Sequence, residues 1–94
     1  MKQFNGHRSW SAWNVCLHIT NDEALHNAAL FCIKQAIELR DKARAEGKFA
    51  ASSKVDVKAA MLLKALVPER TPDGARYSYL NLKLTIGLLL ARTD

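Results

Sequence analysis

The basic side chains of this chain are those whose type and spacing could bind a ligand, and they concentrate in its middle. Residues 40–64 hold seven lysines and arginines against three acidic residues, in a chain whose net charge is +5. Two groups of them recur at intervals of four, which places each group on one ridge of a helix. Such a ridge can bind phosphates or an acidic protein surface. The alternative is that it is an ordinary solvent-exposed helix face, because Asp41 and Glu46 beside it reduce its positive charge. The predicted ridge consists of Arg40, Arg44, Lys48, Lys54 and Lys58.

A second group of polar side chains lies in the segment PERTPDGARYSY. Proline, aspartate and glycine in succession are typical of a tight turn, because they preset one backbone angle, bond locally and accept positive φ. Two arginines near backbone donors can hold a phosphate or a carboxylate. The predicted contact surface therefore also includes Arg70, Arg76 and Tyr77. A structural interpretation stays open, in which Asp73 caps the next helix and Arg76 pairs with a neighbouring acid.

The remaining reactive side chains do not form a recognisable catalytic or metal-binding set. The pair His18 and His26 has no accompanying cysteine pair or acidic cluster at ligand spacing. Cys16 and Cys32 both lie in apolar runs, where cysteine usually behaves as a small buried hydrophobe rather than a nucleophile. We therefore predict a protein that is not an enzyme and that uses neither a metal nor a cofactor.

Composition predicts one folded domain, residues 1–94. Of all residues, 49% are hydrophobic, and the chain is too short for a second core. Its longest apolar run, IGLLLA, is far shorter than a membrane span, and MKQFNGHRSW has no apolar stretch of signal-peptide length, so we expect neither a membrane span nor a signal peptide. The expected location is the cytoplasm, with no membrane partner.

The helical pattern is strongest in the middle of the chain and predicts one long central helix. TNDE fits a capping box headed by Thr20, and apolar residues then recur at spacings of three and four. Gly47 is a natural stop. We expect this helix to run from about Asn21 to Glu46, with a stripe of small residues that could support self-association.

Two further helices are expected around this one. The first is predicted to begin at Ser53 and to end before Pro68, with an apolar face formed by Val55, Ala59, Leu62 and Leu66. The second is expected near the end of the chain, where a helical stripe is formed by Tyr77, Leu80, Leu84 and Leu88.

The segments 13–19 and 79–86 also alternate as strands do. The fold is therefore predicted to be an all-α bundle of three to four helices, with an α+β fold containing a two-stranded ribbon as the alternative. In the helical interpretation Ser9 or Ser11 caps the opening segment, and Trp10 and Trp13 cover one end of the core. Trp10 is the aromatic side chain that could show an edge to a partner.

Two motifs of the chain resemble a family of short proteins encoded by bacteriophages and other mobile elements. The first is a Trp-Asn-Val segment that leads to Asn-Asp-Glu, and the second is a Pro-Glu-Arg-Thr-Pro-Asp-Gly loop. The chain departs from this family at His18, where similar sequences tend to have an aromatic residue. The matching residues are His7, Trp10, Trp13, Asn14, Val15, Asn21, Asp22 and Glu23, followed by residues 68–77.

The family has no assigned reaction, so this resemblance implies a setting, the cytoplasm of a bacterial host, rather than a mechanism. Small phage proteins without enzymatic motifs often act by binding. We therefore expect a factor that binds and inhibits a host bacterial protein or complex, of the anti-defence kind. Binding of nucleic acid or a nucleotide through the same basic residues is the alternative.

Overall fold

The computed structural model describes residues 9–47 and 54–92, which fold into four α-helices. α1 spans Trp10–Asn21, α2 Glu23–Ala45, α3 Val55–Lys64 and α4 Tyr79–Arg92. No strand occurs in this part of the chain, and the segments 13–19 and 79–86 are both helical. The predicted small all-α bundle is therefore confirmed, and the ribbon alternative is wrong.

The boundary between α1 and α2 corrects the predicted start of the long helix. Thr20 does not cap α2, because its hydroxyl lies inside α1 and donates to the carbonyl oxygens of Cys16 and Leu17 at 2.8 and 3.2 Å. The chain instead leaves helical geometry at Asp22, whose Oδ1 accepts from the amide of Leu25 at 3.0 Å. A carboxylate is well suited to this place, since it bonds the first free amides and faces the positive end of the helix dipole.

Local signals set most other helix ends. The Ser9 hydroxyl accepts from the amide of Ala12 at 3.2 Å and begins α1, as a serine cap should. Gly47, just after α2, has φ +78, the left-handed conformation that ends many helices. The predicted start of α3 at Ser53 lies outside the described residues, and α3 ends at Lys64, four residues before Pro68.

The face of α3 that enters the core is largely the predicted one, whereas the face of α4 differs from the prediction. In α3, Ala59 is buried and Val55 and Leu62 pack against the core as predicted, while Leu66, beyond the end of the helix, is exposed. In α4 the core is reached by Leu82, Ile86 and Leu89. The predicted stripe is wrong, since Leu80 and Leu88 are 47% and 40% exposed. Periodicity alone cannot choose the buried face of a helix that carries leucines on every side.

All four helices contribute to one buried cluster. α1 supplies Val15 and Ile19, and the small-residue stripe of α2, with Ala29, Cys32 and Ala36, lies against them inside the molecule. This burial corrects the expectation that the stripe supports self-association, because these side chains already face the protein's own core. The tryptophans contribute less than predicted, since Trp13 is half-buried and Trp10 is 41% exposed.

Candidate functional site

The PERTPDG segment forms a compact hairpin-like loop between α3 and α4. Arg70 and Arg76 are paired across it by an isolated antiparallel bridge. Within the loop, the Thr71 amide donates to the carbonyl of Ala75 at 2.8 Å, and the Gly74 amide donates to the carbonyl of Thr71 at 2.9 Å. Gly74 has φ +95, which glycine adopts without steric cost. The predicted turn is thus confirmed.

Buried polar groups fasten this loop to α1. The Asn14 side chain is fully buried and uses both ends of its amide. Its Nδ2 donates to Asp73 Oδ2 at 2.9 Å, and its Oδ1 accepts from the Thr71 hydroxyl at 2.6 Å. The Thr71 oxygen in turn accepts from the Ala75 amide at 3.1 Å. The two sequence motifs that carry the resemblance therefore meet in a single hydrogen-bond network.

His18, one turn after Asn14, extends this network to the surface. Its Nε2 lies 2.9 Å from Asp73 Oδ2, and because a carboxylate can only accept, this nitrogen carries the proton. The hydrogen bond from Asn14, followed by the one from His18, holds the pKa of the Asp73 carboxyl below its usual value. Asp73 therefore serves the loop–α1 contact, which corrects the alternative in which it caps α4.

Ser78 begins α4 in place of Asp73. Its hydroxyl accepts from the amide of Asn81 at 3.2 Å, and its carbonyl oxygen accepts from the amide of Leu82 at 2.9 Å. The Asn81 side chain reaches the carbonyl of Arg76 at 3.0 Å and the hydroxyl of Ser11 at 3.4 Å. These contacts hold the first turns of α1 and α4 side by side, directly behind the loop.

A cleft of about 310 Å³ opens where the loop, α3 and α4 meet, and two cationic side chains line it. Lys64 is held in place, since its Nζ donates to the carbonyl of Tyr77 at 2.9 Å. Arg76 is exposed and forms no ion pair within residues 9–47 and 54–92. An anionic group in this cleft would meet both cations and the positive end of α4, against the opposing charge of the single carboxylate, Glu69, that also lines it. The lining residues are Lys64, Glu69, Arg76, Ser78 and Tyr79.

The predicted contact residues lie in two separate places. Arg44, Lys54 and Lys58 are exposed near the α2–α3 connection. Arg40 is half-buried and its Nε lies 3.2 Å from Asp41 Oδ1, while Lys48 lies outside the described residues. Arg70 and Arg76 belong to the loop at the other end of α3, about 15 Å away along a ten-residue helix.

Two loop residues have roles that differ from the prediction. Tyr77 is 1% exposed and part of the core, so its side chain is not available to a partner. Burial, and then the negative charge of Asp22, raises the pKa of its phenol. Arg70 donates from Nη1 to the carbonyl of Gly74 at 3.0 Å and thereby helps to close the turn. Of the loop residues proposed as contacts, Arg76 is the one whose side chain lines the cleft.

Sequence reasoning missed the residues that fasten the loop and complete the cleft. Asn14 interrupts an apolar stretch of α1, and a polar residue on a buried face is the signal that could have indicated the network. Ser78 and Asn81 follow the spacing of a helix cap, which indicates where α4 begins. No local pattern marks Lys64 as a neighbour of the loop, because it comes from a different helix.

The other candidate side chains are placed in the core or at its edge. Cys16 and Cys32 are buried thiols rather than halves of a disulfide, and burial raises the pKa of the Cys32 thiol. His7 lies outside the described residues. In the described ranges, no three His, Cys, Asp or Glu side chains approach closely enough to hold a metal ion. No helix found there is both long enough and apolar enough to cross a membrane.

Comparisons with known proteins identify a family but no characterised relative. The search of curated proteins and the search of solved structures each returned no match. A family model, described as a family of unknown function (DUF7249), matches residues 1–86 and so covers α1, α2, α3, the loop and half of α4. The chain therefore belongs to the DUF7249 family.

Proposed function

We propose that this protein binds and inhibits a component of a bacterial host, with one copy occupying each target site. The setting we propose is that of a phage or mobile-element protein that acts in the host cytoplasm against a defence system. The proposed target is a protein or protein complex with an acidic surface. The net charge of +5 favours such a partner over a basic one.

The observation that carries this proposal is the cleft between the loop and α4. It combines an exposed arginine, a lysine whose ammonium is already fixed, and the partly exposed ring of Tyr79. Arginine and tyrosine are enriched among the residues that dominate protein interfaces. A carboxylate of the partner would find the Lys64 ammonium already held in place, so less side-chain entropy would be lost there on binding. The network of Asn14 holds the backbone that carries Arg76.

Single charge reversals test this proposal against matched controls. The tagged protein and its Arg76→Glu variant are used to capture partners from a lysate of the bacterial host. Lys34→Glu, at an exposed position on α2 that does not line the cleft, makes the same change in net charge. We expect wild type and Lys34→Glu to retain the same host protein and Arg76→Glu to lose it. Equal capture by the wild type and both variants would show that the cleft is not part of the contact surface.

The basic ridge is tested in the same experiment by Arg44→Glu. This residue is exposed in the last turn of α2, whereas the cleft lies at the C-terminal end of α3. If Arg44→Glu loses the partner while Arg76→Glu keeps it, the ridge is the contact surface. Circular dichroism of each variant checks that the helices are intact.

Binding of nucleic acid or a nucleotide is the second candidate function. It is favoured by the same cleft, because two cations beside a helix start can hold a phosphate. Titration of labelled single- and double-stranded oligonucleotides at two salt concentrations tests it. Binding that weakens with salt and is lost in Arg76→Glu supports this function. Absence of binding at the lower salt concentration excludes it.

A further inference from the structure

The cleft at the C-terminal end of α3 holds two cations and a carboxylate that do not pair with one another. Lys64, Arg76 and Glu69 all line it. In the described part of the chain, Glu69 nevertheless forms no ion pair with either cation. The two positive charges and the one negative charge leave one net positive charge on the lining side chains. Glu69 therefore lowers the positive potential of the cleft while the cations keep donors for a ligand.

Three of the lining side chains can donate to one acceptor group. Lys64 Nζ donates one of its three protons to the carbonyl of Tyr77 at 2.9 Å and has two left. The Ser78 oxygen accepts from the amide of Asn81 at 3.2 Å, so its own proton can donate to a ligand. The exposed guanidinium of Arg76 can bond two oxygens of a carboxylate or of a phosphate. These donors fit any small oxyanion, and charge and size decide between the candidates.

The charge of Glu69 shifts the balance between oxyanions of different charge. Attraction to the cleft grows in proportion to the charge of the anion, whereas the cost of removing the anion from water grows with the square of that charge. A lower positive potential therefore weakens the binding of a phosphate dianion more than the binding of a singly charged carboxylate. One unit of repulsion at about 6 Å in water changes Kd about threefold, and two units change it about tenfold.

The size of the cleft and its other lining groups suit a carboxylate on a polypeptide. Its volume of about 310 Å³ is at the lower end of the range for ligand sites, roughly 300–1,000 Å³, and has room for a side chain rather than for a whole nucleotide. A polypeptide presents a backbone N–H close to each of its carboxylates, and Glu69 can accept from such a donor. The ring of Tyr79, 39% exposed, offers an apolar surface to the neighbouring residue of the ligand.

We propose that the cleft selects a carboxylate of a polypeptide over a phosphate, and that Glu69 sets this preference. In the complex Arg76 bonds both carboxylate oxygens, Lys64 and Ser78 donate to the same group, and Glu69 accepts from the adjacent backbone N–H. This inference rests on the proposed function, since it names the group by which an acidic host protein is held. A phosphate ligand is the alternative that the experiment distinguishes.

Four matched dipeptides test the preference. All are acetylated and begin with phenylalanine, whose ring can lie on Tyr79. The second residue is an aspartate amide, an alanine with a free terminal carboxylate, a phosphoserine amide, or an asparagine amide as the neutral control. Titrations at constant ionic strength and about pH 7.5, where phosphoserine is mostly a dianion, extend to about 50 mM. The backbone amide NMR signals of Arg76, Ser78 and Tyr79 report binding and give Kd.

We expect the wild type to bind at least one of the two carboxylate peptides more tightly than the phosphoserine peptide, and to bind the asparagine peptide most weakly. Tighter binding of the aspartate peptide assigns the carboxylate to a side chain. Tighter binding of the alanine peptide assigns it to a chain terminus. Tightest binding of the phosphoserine peptide overturns the proposal, and so does a failure of both carboxylate peptides to shift the signals of the cleft.

Glu69→Gln isolates the charge, because glutamine keeps the size of the side chain and an acceptor oxygen. This variant should bind the phosphoserine peptide about tenfold more tightly than the wild type does, and the carboxylate peptides at most about threefold more tightly. Glu38→Gln, at an exposed position on α2 that does not line the cleft, makes the same change in net charge and should leave every Kd unchanged. Equal factors for phosphate and carboxylate in Glu69→Gln would show that Glu69 does not set the preference.

The peptide titrations and the capture of a host protein can fail separately. If Arg76→Glu loses the host protein while the wild type binds no carboxylate peptide, the proposed function stands and the carboxylate preference is wrong. If the carboxylate peptides bind as expected while Arg76→Glu retains the host protein, the preference stands and the host partner does not use the cleft.

Discussion

At the scale of single residues, Asn14 explains how two distant motifs form one structural unit. Its amide is buried and bonds both Asp73 and Thr71, which lie more than fifty residues along the chain. Asn14, Thr71 and Asp73 therefore mainly support the loop. Arg76 is the loop arginine whose side chain lines the cleft. A polar side chain buried at this place is favourable only because its partners are present.

Asn14→Ala tests the strength of this network. The substitution leaves the Thr71 hydroxyl and the Asp73 carboxylate without their buried partner, and we expect a loss of about 1–3 kcal/mol in the free energy of unfolding. Urea denaturation followed by circular dichroism measures this change. Asn27→Ala, an exposed position on α2, is the control and should stay within about 0.5 kcal/mol of wild type. Similar results for both variants would contradict a structural role for Asn14.

Asp73 should make stability depend on pH in the acidic range. Hydrogen bonds from Asn14 and His18 lower its pKa in the folded state from the usual value of 3.8. A carboxyl whose pKa is lowered by folding stabilises the folded state above its unfolded pKa, and this contribution is lost as pH falls through the folded pKa. We expect the stability difference between wild type and Asp73→Asn to shrink as pH falls from about 6 to about 2. Urea midpoints across this range measure it, and a constant difference would show that Asp73 does not titrate differently in the folded state.

At the scale of elements, helix ends follow local chemistry while helix faces do not. Ser9 caps the start of α1, and Gly47 follows the end of α2, as their residue types predict. The capping box TNDE indicates the right place but the wrong residue, since Asp22 rather than the nearby Thr20 caps α2. In α4 the leucines fit several stripes equally well, and contact with the other helices decides that Leu82, rather than Leu80, is buried.

Two glycines predict opposite effects of the same substitution. Gly74→Ala should destabilise the protein by about 1 kcal/mol, because its φ of +95 strains any residue with a Cβ. Gly87→Ala should stabilise α4 by about 0.5–1 kcal/mol, since the added methyl has open space and alanine favours the helix. Thermal and urea denaturation at low protein concentration measure both. Stabilisation by Gly74→Ala would contradict the left-handed turn at Gly74, and destabilisation by Gly87→Ala would contradict the open space beside α4.

At the scale of the whole molecule, residues from all four helices form one core, so the protein should unfold as one unit. The two tryptophans lie in α1 and report through fluorescence on one end of the bundle. Circular dichroism reports on every helix. The two signals should therefore change together in denaturant.

Leu82→Ala tests this cooperativity and the orientation of α4 together. Removing a fully buried leucine from the shared cluster should lower the free energy of unfolding by about 2–5 kcal/mol and shift both signals equally. Leu80→Ala, at an exposed position of the same helix, should cost less than about 1 kcal/mol. A larger effect at Leu80 than at Leu82 would show that α4 presents the other face to the core.

The sequence by itself favoured the all-α class over the ribbon and determined the turn around Gly74 and several helix ends, because these depend on backbone angles and hydrogen bonds between residues close in the chain. The tertiary structure decided which leucines of α4 face the core and that Tyr77 is buried. It also decided that Asn14 meets Asp73 and that Lys64 joins Arg76 at one cleft. These outcomes depend on side chains from distant positions competing for the same space, and short-range patterns contain no information about that competition.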